Sequence, residues 1–271
     1  MMRGLFIKAF YEVWLTTLLF ALSLFAVKAL LTFILPQFQE GLGGILDGVP
    51  FVKSMISALL GTELGDEISA RTMQTFLWVH PVVLALVWGH EIVLCTRFPA
   101  GEIDRGTIDV LLGLPVSRRA VYLCESLVWL GTGMLILLAG LLGHRMASPA
   151  MPEEMRPELY RAGLVIANLY CVYVAVGGIA FLVSALSDRR GRAMAIVFGM
   201  VLASFLLNFV AQFWEPARRF AFLGVMEYYQ PALILQSGEF PMRDVAVLLS
   251  VGGLAWLLGG EVVARRSICT I

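Results

Sequence analysis

Three carboxylates interrupt long apolar runs in this sequence: Glu91, Glu125 and Glu261. An ionisable group at the centre of a membrane helix costs about 2.5–3.5 kcal/mol on an insertion scale, which makes each a candidate for buried-charge chemistry. All three fall near one end of their runs, close to Arg97, Arg118, Arg119, Arg265 and Arg266. That placement fits an ion-pair belt, or carboxylates that simply reach the membrane interface, and the spacing leaves both readings open. His90-Glu91 opens an H-E-x-x-H zinc-protease pattern, but position 94 is Leu and His80 stands ten residues earlier, so the pair of helical ligands is incomplete and no metal site is expected. Gln236-Ser237-Gly238 lacks the preceding glycine of a serine intramembrane protease, and no catalytic residue is expected anywhere. Ser204, Asn208 and Gln212 recur every fourth residue, a polar stripe on one helical face. Such a stripe must face protein or water; it lines a path or bonds a neighbouring helix. Lys28 reads as a snorkelling side chain and His144 as a residue at a loop edge facing water.

The elements that hold these groups are membrane helices. Of 271 residues, 59% are hydrophobic and only 15% charged, against roughly 25% charged in an average soluble protein. Twenty basic residues balance twenty acidic ones, so no basic excess is available for a nucleic-acid partner. A bilayer core about 30 Å thick takes about 20 apolar residues, and six such runs occur: 13–35, 76–96, 121–143, 161–186, 193–213 and 245–264. The fold class predicted is all-α, a single polytopic membrane domain over 1–271. The first run is longer than the 7–15 residues of a typical signal-peptide core and is expected to stay as an anchor. Residues 3–12 suit either a short interfacial helix or an extension of span one. Cys95, Cys124, Cys171 and Cys269 show no C-x-x-C spacing and read as small buried hydrophobes.

Orientation follows from the cations in short connections, which resist translocation. With the N-terminus inside, Arg3, Lys8, Arg97, Arg105, Arg118, Arg119 and the run Arg189, Arg190 and Arg192, together with Arg265 and Arg266, all lie inside. Both termini are therefore expected in the cytoplasm. The outer loops then cover 36–75, 144–160 and 214–244, where the first and last have apolar groups enough for short surface helices.

The inner loop 97–120 contains the most ordered non-membrane stretch, GEIDRGTIDVLLGLPVSRR from Gly101 to Arg119. Glu102 and Asp104 suit a helix start, Thr107 suits a cap, Ile108, Leu111 and Leu112 share an apolar face, and Pro115 ends the helix. An amphipathic helix offered to the cytoplasm docks into a partner's groove or lies on the lipid surface.

The run Glu102-x-x-x-Gly106-Thr107-x-x-x-Leu111-Leu112-x-x-Pro115-Val116-Ser117-Arg118 resembles the coupling segment of ABC-2-type ABC transporter permeases. The six spans, His80-Pro81, Tyr228-Tyr229-Gln230-Pro231 and Arg265-Arg266 also resemble that family, more loosely. The resemblance implies that Glu102, Gly106, Thr107, Ile108, Leu111, Leu112, Pro115 and Arg118 contact a separate ATP-binding subunit. It implies a second permease copy, a homo- or heterodimer, and ATP with Mg held by the ATPase partner rather than by this chain, which has no G-x-x-x-x-G-K-[ST] run. A transport subunit of a bacterial inner membrane, not itself an enzyme and working in export, is the expected function. The competing reading is an ion- or proton-coupled secondary transporter, against which stand the lack of a span broken near its midpoint and of an inverted repeat. Substrate is not legible in the sequence.

Overall fold

The computed structural model describes residues 2–48, 70–156 and 158–267. Ten α-helices of four residues or more occur among them and no strand: α1 (Met2–Gly48), α2 (Ala70–Val79), α3 (Pro81–Cys95), α4 (Ile108–Leu112), α5 (Arg118–Ala147), α6 (Leu159–Leu186), α7 (Arg190–Ala211), α8 (Glu215–Arg218), α9 (Pro231–Ser237) and α10 (Met242–Arg265). Six segments among the described residues are long and apolar enough to cross a membrane: α1, α2 with α3, α5, α6, α7 and α10. The all-α polytopic class read from the sequence is the observed one.

Helix α1 decides between two readings at its start and corrects one boundary at its end. Residues 3–12 form no separate interfacial helix; they are the first turns of one 47-residue helix. At 1.5 Å per residue, α1 is about 70 Å long, more than twice the apolar thickness of a bilayer, so it must project beyond the hydrocarbon. Pro36 does not end it, and the helix runs on to Gly48. A proline within a helix removes one hydrogen bond and crowds one carbonyl, a cost of about 3 kcal/mol, so it disfavours continuation without forbidding it. The outer loop expected at 36–75 is shortened at both ends, because α2 begins at Ala70. Most of the surface helix expected within that loop lies outside the described residues.

Span two is built from α2 and α3, which meet at His80. His80 is non-helical, its Nδ1 accepts from the Val82 N–H at 3.3 Å, and Pro81 occupies the first position of α3, where its missing N–H has no helical partner to lose.

Helix α1 packs chiefly on α5 and α10 chiefly on α6. Hydrocarbon solvates leucine as well as another helix does, so these pairings depend on close approach at small residues. Gly178 of α6 meets Gly252 of α10 backbone to backbone: a methyl built on Gly252 would lie 2.6 Å from Ala175 Cα and 2.7 Å from the Val174 carbonyl oxygen. Gly177 leaves the notch that Trp129 of α5 fills. Trp129, Tyr173 and Tyr170 stack with centroids 5.8 and 6.0 Å apart, each pair adding about 0.5–1.5 kcal/mol beyond burial. Outward faces carry Leu15, Leu19 and Leu22 on α1 and Leu254, Leu257 and Leu258 on α10, exposed in this chain and suited to lipid.

Lys28 and His144 lie inside the bundle, contrary to the snorkelling and water-facing roles their positions suggested. The Lys28 ammonium donates to the Leu77 carbonyl at 3.0 Å and lies 3.3 Å from the centroid of the Trp78 ring. A carbonyl and a π face thus stand in for water. His144 Nδ1 bonds Thr32 Oγ1 at 2.8 Å; because that hydroxyl donates to the Lys28 carbonyl at 2.6 Å, the imidazole is the donor in the pair. Lys28 belongs to the face of α1 that packs against α2 and α5, and His144 lies on the surface of α5 that faces it. Cys95 and Cys124 are buried and Cys171 is half-buried, as small hydrophobes.

Candidate functional site

The first turns of α1, the 97–117 loop, residues 187–189 and the end of α10 share one face of the bundle. Arg97 pairs with Glu12 of α1 and Glu125 of α5, Lys8 lies 4.0 Å from Glu102, Arg118 donates to the Arg266 carbonyl, and Arg266 pairs with Asp188. Glu261 pairs with Arg119 at 2.9 Å and with Arg265. Two of the three intramembrane carboxylates, Glu125 and Glu261, therefore stand in ion pairs on this face. Glu91 does not. It is fully buried between Trp129 and the Gly177 notch, and no cation pairs with it among the described residues.

The loop is fastened from its base upward. Phe98, Pro99, Ala100 and Gly101 are buried, and Ser184 of α6 clamps them by donating to the Phe98 carbonyl at 3.0 Å and accepting the Ala100 N–H at 3.2 Å. Arg190 of α7 reaches back to the Val93 carbonyl at 2.9 Å. Glu102 comes next, only 4% exposed, gathering Arg105 at 2.8 Å and the Thr107 hydroxyl. Thr107 is thus not a side-chain cap for α4 but a clasp on Glu102, and its backbone N–H also bonds the Glu102 carbonyl at 3.0 Å. Between them Gly106 turns the chain at φ +68°, a left-handed conformation that strains any residue with a Cβ. Helix α4 stops at Leu112 with Gly113 as its cap, so Pro115 lies beyond the helix and does not end it.

This arrangement divides the residues expected to meet a partner. Ile108 and Leu111 are buried in this chain's own core, Leu112 is half-buried and Glu102 is enclosed. Gly106, Thr107 and Pro115 are exposed, and Arg118 is half-buried with its guanidinium occupied by the Val263 and Arg266 carbonyls. The surface turned outward is apolar at two points sequence reasoning passed over: Val110, 75% exposed, and Leu114, 44% exposed. The signal was present, since Val110 is an apolar residue off the Ile108–Leu111 face of α4. Lys8 and Glu12 pair one helical turn apart at 2.8 Å, a spacing visible in the sequence, but the Glu12–Arg97 pair and the Ser184 clamp carried no local signal, because those partners are distant in sequence.

The polar stripe of α7 also divides. The Ser204 hydroxyl accepts the Met226 N–H at 3.3 Å, a packing role. Asn208 and Gln212 instead line a cleft of about 260 Å³ with Arg218, Glu227 and Gln230. Asn208 donates to Glu227 at 3.2 Å. Partial burial raises the Glu227 carboxyl above its ordinary range, opposed by the Asn208 hydrogen bond, reinforced by Asp244 and opposed again by Arg218. This cleft lies at the opposite end of α7 from Arg190, away from the loop face.

Six apolar spans with an ordered, buttressed loop between the second and third define a multi-pass membrane protein. The family model described as ABC-2 family transporter protein matches residues 11–233, which include the loop and five of the spans. The chain belongs to that family, and so is a membrane domain of the ABC transporter kind, which associates with an ATP-binding subunit. No curated protein and no solved structure matches it.

Proposed function

We propose that this chain is the permease half of an exporter, paired with a second permease copy, and that a separate ATP-binding subunit grips it at the exposed tip formed by Thr107, Val110, Gly113, Leu114 and Pro115. Its loop face, with both termini, is cytoplasmic, in keeping with the concentration of cations there and the resistance of cations to translocation. The observation that carries this reading is the pairing of an apolar exposed tip with a rigid base: Val110 and Leu114 are offered outward while Arg97, Glu102 and Ser184 tie the loop to α1, α5 and α6.

A push on such a tip cannot be absorbed locally. Arg97 bridges α1 and α5, and the packed core under Ile108 joins the loop to the spans, so displacement of the tip tilts helices as a body. ATP and its Mg belong to the partner; this chain's part is to transmit and to line the path.

The test is co-purification of the ATP-binding subunit from native membranes with the doubly substituted Val110→Asp, Leu114→Asp chain. Burying two carboxylates in an apolar contact is expected to cost about 2 kcal/mol or more, roughly a thirtyfold loss of affinity, with the permease still folded. Undiminished capture of the ATPase by that variant contradicts the reading.

A further inference from the structure

The cleft beside Glu227 has an apolar neighbour across one of its walls. Phe205 forms part of its wall and also part of a second, almost wholly apolar groove of about 240 Å³ that runs between α3 and α7 along Pro81, Ala85, Trp88 and Ile92. From Pro81 to Ile92 is about 16 Å along a helix axis. Together the two spaces reach the size of small-molecule sites, about 300–1,000 Å³. They differ sharply in chemistry: charged and amide groups at the end away from the loop face, and hydrocarbon and aromatic walls below it.

We infer that these two adjoining spaces bind one amphiphile, specifically a membrane phospholipid whose zwitterionic head group carries both a phosphate and an amine, with one acyl chain lying in the α3–α7 groove. This rests on the permease reading and names the class of molecule the site takes. Arg218 supplies a guanidinium for the phosphate, which it can bond bidentately. Glu227, held in place by Asn208 and with Asp244 close enough to influence it, supplies the carboxylate for the amine. Among the described residues Arg218 and Glu227 form no ion pair with one another, although both line the cleft, so their charges remain available to a ligand that bears both signs. Gln212 and Gln230 add donors and acceptors for ester and hydroxyl oxygens. A purely anionic lipid would leave Glu227 opposing it, and a hydrocarbon without a head group would leave the polar end unsatisfied.

The test is native mass spectrometry of the purified full chain in detergent, titrated with a phosphatidylethanolamine and, separately, with a phosphatidylglycerol of the same acyl chains. Preferential retention of the phosphatidylethanolamine is expected. Arg218→Ala and Glu227→Gln, both polar-surface changes that leave the bundle core intact, should each weaken it about tenfold, the worth of one charge-assisted hydrogen bond. Ala85→Phe, which fills the apolar groove, should weaken retention of both lipids. Equal retention of the two lipids, or retention unmoved by all three substitutions, overturns the inference and marks the lipid as annular. A photoreactive residue at position 85 that cross-links to a second copy of the chain in place of lipid overturns it as well. None of these readouts uses the ATPase, so a lipid result that fails while the ATP-binding subunit is still captured removes this inference and leaves the permease reading standing.

Discussion

Arg97 and Glu125 form an ion pair in which the side chains are only 7% and 10% exposed, and through it the base of the loop is fixed to α5. The same guanidinium holds Glu12 of α1, so one residue joins three elements. A buried pair is weak evidence of net stabilisation, because desolvation offsets attraction, but removing one partner strands the other.

Arg97→Met is therefore expected to be the most damaging single change on this face. It leaves the enclosed Glu125 without its cation, a loss of about 3–5 kcal/mol, whereas Arg119→Met at an exposed pair should cost no more than about 1 kcal/mol. Denaturant-induced unfolding of the two variants in the same detergent checks the ordering.

Gly252→Ala is expected to destabilise by about 1–3 kcal/mol, since the added methyl meets the backbone of α6 at Ala175 and Val174, which cannot rotate away. Gly253→Ala, one position along with open space around it, should be neutral or slightly stabilising. Thermal unfolding of both variants gives the contrast directly.

These residues also show what the sequence made legible. Span number and type follow from apolar runs bounded by charge. Helix continuity across Pro36 was not legible, because a proline's local penalty disfavours continuation of a helix without forbidding it. Lys28 and His144 were misplaced for a related reason: spacing gives the height of a residue in the membrane but not which neighbours surround it. The loop was legible as an ordered amphipathic segment, yet its inward and outward faces were exchanged in part. Ile108 and Leu111 serve this chain's own core, and the exposed apolar points are Val110 and Leu114.

Glu91→Gln is expected to leave stability within about 0.5 kcal/mol of the parent or to raise it. Glu91 has no cation partner among the described residues, and a carboxamide of the same shape is less costly to enclose than a carboxylate. It is also expected to leave coupling to the ATPase intact, because Glu91 takes no part in the ion pairs of the loop face. A variant that unfolds readily or uncouples assigns Glu91 a role this arrangement does not contain.

Glu102 is expected to act on partner binding without touching the partner. Glu102→Ala frees Arg105 and Thr107 and lets the tip change shape, so ATPase capture should fall about tenfold, while Glu102→Gln, which still accepts from Thr107, should lose markedly less. Equal losses for the two variants, measured by quantitative co-purification, point instead to a direct charge contact.

The most direct measurement places a photoreactive amino acid at position 110 in the full chain and irradiates native membranes. The cross-linked product is predicted to contain the ATP-binding subunit, while the same probe at position 254 on the lipid-facing side of α10 yields none. Cross-linking of position 110 to lipid alone, with no ATP-binding subunit attached, contradicts the account.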